Sequence, residues 1–526
     1  MRKKIIMLLI TIVIVLGFVI GIKNVKMEPE EIYEDTSLKN VSTEIYVDEL
    51  NLAISEVDTL NPLKTKNSQV ASILSLIYEP LVTYESSEEL EGALATEWSK
   101  LDSYTWIIKL REGVKWHSGK DFLAEDVIFT FNLLRNNDLT YSSNLKNVKE
   151  IEKLNEYSLK IILNEKDDYF INKLNFPIIP EYYFKNEGFN NEDKLNRPIG
   201  TGAYKYSSMD EEKNIKLESN FSWWKKDSMK LRRINLYRYD TYGEAIKAFK
   251  STEVDLIVTN MSEWQEKFGT IGINSYSFEN SEYELIIPNC QNMALSENSV
   301  RRAILQGINR ENIINSIYND NASISDIPIH TNSKNSINNA EYDLEKAKQI
   351  LINANWNQNE SGWQKDINGR IQTLNFTLLV NNESEKKIET AEKIKDDLLE
   401  LGIKITVKKV SMDTIKKAIE QDDFDLILAS FDIKNETEIQ ENVLKNNSKN
   451  YSNYSSDEME KLLEKLRIDD KSYNENMYAF AMLYKNDAPY IGLYFKTSTM
   501  LTNKSVKGNF EPTWSNYFRN ITTFCK

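Results

Sequence analysis

Residues Leu374 to Asp432 read LNFTLLVNNESEKKIETAEKIKDDLLELGIKITVKKVSMDTIKKAIEQDDFDLILASFD, and their periodicity decides the fold class. Leu374, Phe376 and Leu378 alternate with Asn375, Thr377 and Leu379, the pattern of a strand. Ile388, Ala391, Ile394 and Leu398 then recur at helical spacing, and Gly402 stands where a helix C-cap belongs. Ile403, Ile405 and Val407 alternate again; a short helix, Met412 to Glu420, leads into an apolar strand, Phe424 to Ala429. The order β-α-β-α-β calls for a parallel sheet with crossover helices, which places the chain in the α/β class.

A second stretch looks like the end of this unit. Ala245 to Val258 (AIKAFKSTEVDLIV) lies over Ile415 to Leu428 (IKKAIEQDDFDLIL) without a gap, pairing Ala248 with Ala418, Asp255 with Asp425, Leu256 with Leu426 and Ile257 with Ile427. Either the likeness of two short stretches is accidental, or two lobes of similar construction each contribute an equivalent strand. On the second reading, ligands of open α/β sheets bind beyond the carboxyl ends of strands. Thr259, Asn260 and Met261 would then face Ala429, Ser430, Phe431 and Asp432 across one cleft.

Working outward, the whole chain of 526 residues is long enough for about three domains. Its net charge of -15, with no long basic block, argues against a nucleic-acid partner, because phosphate contacts need clustered Lys and Arg. Two cysteines, Cys290 and Cys525, make no disulfide framework and no CxxC motif; a bond between them needs Cα atoms within ~7 Å. Two histidines, His117 and His330, are too few for a His-rich zinc site.

At the N-terminus, Arg2, Lys3 and Lys4 precede an uncharged run from Ile5 to Ile22 that is longer than the ~7–15 residues of a secretory core. No A-x-A-like site follows. The run reads as an uncleaved signal-anchor, residues 1–22, with the remainder on the extracytoplasmic face; the alternative is a cleaved signal peptide. Residues 23–43 are polar and acidic, a solvated linker.

Further along, Ser299 is placed to cap a helix carrying Val300, Ala303, Ile304, Ile308, Ile314 and Ile317, and Asp343 to cap another. Arg301, Arg302 and Arg310 are expected on a solvated or inter-domain face. No GxSxG elbow, P-loop, GxGxxG or HExxH occurs, and the carboxylate pairs Glu30/Glu31, Glu88/Glu89 and Asp422/Asp423 sit in polar surroundings, so no catalytic or metal residue is assigned.

Seven short motifs in order resemble family 5 solute-binding proteins of ABC transporters, the oligopeptide, dipeptide and nickel binders. They are Asp58 to Pro62 with Ile77 to Leu81; Leu94 to Trp98; Leu110 to Lys120; Ala124 to Val127; Pro198 to Tyr204, with Ala203 in place of the usual proline; Val300 to Arg310; and Tyr342 to Ala347. Gly113 and Gly119 suit a turn needing positive φ, while Gly200 and Gly202 allow a tight chain return. His117 in that turn reads as a structural hydrogen-bonder.

The resemblance implies a periplasmic-binding-protein-like clamp of two lobes, class II, with the extra domain of the peptide-binding cluster. Lobe I would comprise residues 44–88, 197–288 and 488–526, the extra domain 89–196, and lobe II 289–487. It further implies a monomer without cofactor that captures a small solute, a short peptide, for the permease subunits of an ABC transporter. Asp432 is placed to hold the ammonium group, with Phe431, Ser430, Asn260, Met261 and Trp514 beside the ligand. The usual D-Y-x-D-P stretch is here Asp432-Ile433-Lys434-Asn435-Glu436. Alternatives are a peptide sensor without import, a binder of a nickel chelate or oligosaccharide, and, from another class, a cell-wall hydrolase.

Overall fold

The computed structural model describes residues 49–526 except 55–56, 85–89, 186–188, 190–191, 361, 434–435 and 469–471. The expected anchor, the linker and the pairs Glu30/Glu31 and Glu88/Glu89 lie outside the described residues. Among the described residues no helix is long and apolar enough to cross a membrane.

The elements that position the site are β1 (Glu49–Ile54), β2 (Arg233–Arg238), α1 (Tyr242–Lys250), β3 (Leu256–Thr259), β4 (Ile273–Pro288), β5 (Asn375–Asn381), α2 (Glu385–Leu401), β6 (Lys404–Val410), α3 (Met412–Glu420), β7 (Leu426–Asp432), α4 (Asp457–Ile468), α5 (Tyr473–Asp487) and β8 (Ile491–Asn503). The periodic stretch folds as its pattern demands. Ser384 caps α2 by accepting from the Lys387 amide, Gly402 ends it at φ 87°, and Ala391, Ile394 and Leu398 form its buried stripe. β5 pairs in parallel with both β6 and β7. The last strand starts two residues later than the apolar run and continues to Asp432, because Phe424 and Asp425 belong to the turn while Ser430 to Asp432 keep pairing with β4.

The largest sheet has eleven strands, and eight of them, counted from one edge, run β6-β5-β7-β4-β8-β3-β1-β2. That order reads the same from both ends. β1 is parallel to β2 and β3, and β3 is antiparallel to β8; likewise β5 is parallel to β6 and β7, and β7 is antiparallel to β4. The likeness between Asp255 and Asp425 is therefore geometric. Asp255 Oδ2 accepts from the Asn51 amide of β1 at 3.0 Å, and Asp425 Oδ2 from the Thr377 amide of β5 at 2.9 Å. The Asp255 carbonyl accepts from the Asn503 amide and the Asp425 carbonyl from the Asn289 amide. Thr252 and Asp422 even share a positive φ, 63° and 53°, in the preceding turns.

β4 and β8 pair along most of their length and join the two halves of this pattern. The first core draws Leu50, Leu217, Leu256, Met500 and Phe524 together with residues of a separate four-stranded sheet, Ala95–Asp102, Thr105–Leu110, Ser158–Leu163 and Val148–Asn155. Two further cores cover the faces of β7: Leu426 and Leu428 enter one, Ile427 the other.

Two expectations need correction. The helix expected from Ser299 to Ile317 is two helices, Asn298–Gly307 and Arg310–Tyr318, broken where Ile308 turns extended and Asn309 caps the second; Ser299 lies inside the first turn and caps nothing. Of the three arginines expected on a solvated or inter-domain face, Arg301 and Arg310 are buried and Arg302 is half-buried. The Arg301 guanidinium donates to the carbonyls of Leu295, Ser296, Asp487 and Ala488, and Arg310 pairs with buried Asp326.

The glycine turns hold. Gly113 and Gly119 have φ of 75° and 89°. A Cβ at Gly200 would stand 1.8 Å from the Ile77 carbonyl oxygen, so only glycine fits that chain return. His117 Nδ1 accepts from the Gly200 amide at 3.2 Å, which leaves Nε2 to donate to the Gly202 carbonyl at 3.0 Å. Asp343 caps its helix through the Lys346 amide.

Candidate functional site

Charge concentrates where β4 and β8 cross between the two halves. In the β4 run Asn280-Ser281-Glu282-Tyr283-Glu284, the pleat sends both glutamates to one face and Tyr283 to the other. Opposite them in β7 stand Asp432 and Ser430, paired in register with Glu282 and Glu284. The ladder between β4 and β8 slips in register between Glu279 and Tyr283, and again between Glu284 and Leu285.

Two lysines answer the glutamates. Lys496 of β8 lies 2.5 Å from Glu282 and 3.4 Å from Glu284; Lys387 of α2 lies 3.3 Å from Glu284, whose side chain is wholly buried. Lys387 also donates to Ser430 Oγ at 2.7 Å, and that hydroxyl sits 3.0 Å from Glu284 and 3.1 Å from Glu282. Burial alone would lower the Lys496 ammonium, but the two carboxylates outweigh it and hold its pKa above the ordinary value. Burial likewise opposes the Glu282 carboxylate, and Lys496 reverses that, keeping Glu282 below its usual range.

The neighbouring lysine reaches the first half. After β3 the chain turns through Asn260 and Met261 to Ser262 and Glu263; Lys386 donates to Ser262 Oγ and lies 3.4 Å from Glu263, while Asn321 donates to the Ser262 carbonyl. Positive charge in the first turn of a helix opposes the macrodipole, so Lys386 and Lys387 sit at a place helix formation does not favour. Their consecutive positions place the ends of β3 and β7 on either side of one helix terminus.

The structure brings Ser430 and Asp432 to the charged crossing, while Asn260 lies exposed just past the end of β3, where its Oδ1 accepts from Tyr242 of α1. Met261 is half-buried against the small core formed by α1 and β3. Phe431 does not join them: it points to the opposite face of β7 and meets Tyr451 and Tyr490 edge-on at the rim of a core. Trp514 is stacked 4.9 Å from His330, which stacks in turn on Phe495 of β8 and holds Glu279 at 3.1 Å. Glu279 is kept below its usual range: burial opposes the charge, but His330 and Thr331 prevail.

Glu282, Glu284, Lys387, Lys496, Glu279 and His330 escaped the sequence reading. The signal was present for two of them, because Glu282 and Glu284 alternate with apolar residues in a strand that ends in Leu285-Ile286-Ile287. Cys290 and Cys525 are both free. A cavity of about 360 Å³ lies away from the crossing, beside the four-stranded sheet, lined by Trp98, Lys100, Trp106, Asp168 and Tyr169 among others. Among the described residues no cluster of His, Cys, Asp and Glu is arranged to hold a metal ion.

Two halves of one strand pattern, joined by shared strands over a polar crossing, define a class of ligand-binding clamp. Residues 89–487 match the family described as bacterial extracellular solute-binding proteins, family 5 Middle. The chain belongs to this family, the non-enzymatic, extracytoplasmic solute-binding components of ABC transporters. It is 23% identical to the oligopeptide-binding protein AppA of Bacillus subtilis, over 87% of each chain. Identity to the periplasmic oligopeptide-binding protein OppA of Salmonella typhimurium is also 23%, over 89% of this chain and 91% of that one. Among solved structures it resembles NikZ of Campylobacter jejuni in complex with Ni(L-His), at 20% identity and a TM-score of 0.69, covering 91% of this chain and 99% of that one. The mixed α/β fold is that of these proteins.

Proposed function

We propose that the chain captures a short peptide between its two halves and delivers it to the permease subunits of an ABC transporter. The observation that carries this reading is the pair Lys386 and Lys387, which brings the ends of the equivalent strands β3 and β7 to one helix terminus above the charged crossing. Ligands of such sheets bind beyond the strand ends. On this reading lobe I comprises residues 44–88, 197–288 and 488–526, the extra domain 89–196, and lobe II 289–487. The composition of the first core, which draws on Leu50, Leu217, Met500 and Phe524, supports that division.

Asp432, exposed and opposite Glu282, receives the ammonium group of the solute, with Ser430, Asn260, Met261 and Trp514 around it. A carboxylate fixes the terminus by a charge-assisted bond, while main-chain pairing tolerates varied side chains. The names of AppA and OppA support a peptide over the nickel chelate of NikZ. Residues 1–22 tether the monomer to the membrane through the linker 23–43.

Native mass spectrometry of the protein purified without refolding tests the reading. A co-purified peptide that is lost in Asp432→Ala is the expected result. A sugar or metal chelate in its place overturns the peptide and leaves the clamp.

A further inference from the structure

The four-stranded sheet touches the helices α4 and α5 through residues that take no part in the crossing. The segment that follows its strand Ser158–Leu163, Glu165 to Tyr169, is tied to the sheet and its loops by hydrogen bonds and an ion pair. Asn147 accepts from the Glu165 amide and donates to the Glu165 carbonyl, both at 2.9 Å. The Trp106 indole donates to the Asp167 carbonyl, the Tyr169 amide donates to Asp167 Oδ1, and Lys100 pairs with Asp168 at 3.1 Å.

This braced segment meets the C-terminal turn of α4. The Asp168 amide donates to the Arg467 carbonyl at 2.9 Å, the Arg467 guanidinium pairs with Glu165, and the Tyr169 ring stacks on Tyr473 with centroids 3.7 Å apart. The last carbonyls of a helix lack partners within it, so a segment some 300 residues distant supplies a cap that α4 cannot make for itself. Tyr473 opens α5, and the far end of that helix, Asp487, leads into β8. At ~1.5 Å per residue the length of α5 sets the contact roughly 20 Å from the helix end that leads into β8. Rotation about the strands that both halves share displaces remote points most, so this contact parts when the halves part.

We propose that it is a clasp: the four-stranded sheet holds the α4–α5 side of the molecule shut, and the strength of that hold sets how long a bound solute stays. The proposal rests on the reading that the halves close on a solute. Affinity falls with the population of the binding-competent state, whatever the contacts inside the cleft. The clasp therefore governs release and leaves the choice of solute alone.

The test compares the full-length protein with Tyr169→Ala, Arg467→Gln and the control Tyr169→Phe, which keeps the stack. Solution X-ray scattering is recorded without added solute, and release is timed for a random library of tri- to pentapeptides. Tyr169→Ala is expected to increase the radius of gyration and speed release about tenfold, a loss in the range of one aromatic pair plus its neighbours, with the same library masses bound. Arg467→Gln shifts both in the same direction by less, and Tyr169→Phe shifts neither. Wild-type scattering and release in a folded Tyr169→Ala overturn the clasp while the peptide reading stands. If no form retains a peptide, that reading falls, and the scattering comparison alone decides the clasp. Should Tyr169→Ala fail to fold, unchanged scattering in Arg467→Gln overturns it.

Discussion

β3 and β7 begin alike and end differently. Each starts after a helix, a turn with positive φ and an aspartate that captures the amide of the adjacent parallel strand. β3 then stops at Thr259, and Asn260 to Glu263 leave the sheet to touch Lys386, whereas β7 continues three residues further along β4. The partner strands differ to match. Glu284 in β4 occupies the place that Ser498 holds in β8, and around Ser498 lie Asn280, Ser277 and Thr499 in place of charges. The scaffold is kept at the strand starts, where the backbone must be satisfied, and function has diverged at the strand ends, where it need not be.

The largest effect separates those ends. Glu284→Ala takes from Lys387 its paired carboxylate and from Lys496 one of two, and is expected to cost about 3 kcal/mol in urea unfolding, against about 1 kcal/mol for Ser498→Ala, which loses a neutral hydrogen bond. Equal losses would mean that the charged crossing gives no energetic asymmetry.

Acid should separate the halves next. Burial, the main cause, depresses the His117 pKa from 6.5 to about 4, so the folded state disfavours the proton that the unfolded chain binds. The stability this gives is complete above pH 6.5 and lost as pH falls towards 4, about 3 kcal/mol by then. Hydrogen exchange followed from pH 7 to 4 should rise first around residues 113–122, ahead of residues 374–432. The reverse order would locate the acid-sensitive groups in the second half.

A smaller difference probes the strand starts. Asp255 is fully buried and also pairs with Lys526 at 2.6 Å, whereas Asp425 is half-buried and takes a neutral Asn292 amide. Asp255→Ala should destabilise by about 1 kcal/mol more than Asp425→Ala in the same unfolding assay. Smallest of all, Asp432→Ala should leave stability within about 0.5 kcal/mol of wild type, because the residue is exposed, while abolishing peptide retention.

Much of this was legible. The run from Leu374 to Asp432 showed its elements because amphipathic spacing survives in a sheet covered by helices, and the Asp255/Asp425 likeness rests on local backbone needs that local sequence records. The break at Ile308 was hidden, since apolar spacing continues through it and only the extended backbone there ends the helix. Arg301 and Arg310 looked solvated because their partners are carbonyls and an aspartate from distant segments. The same strand alternation that shaped β7 separates Ser430 from Phe431, and weighing it would have moved Phe431 to a core. The lysines facing Glu284 come from α2 and β8, and no spacing within one segment announces such a meeting.

β8 is the last long strand of the chain, yet it lies in the middle of the sheet between β4 and β3, and Met500, Phe518 and Phe524 complete a core begun at Leu50. The second half draws on the same strand, since Ile491, Leu493 and Tyr494 enter one of its cores. Contacts between segments this far apart in sequence are costly to form early, so both halves share one late, non-local step of folding.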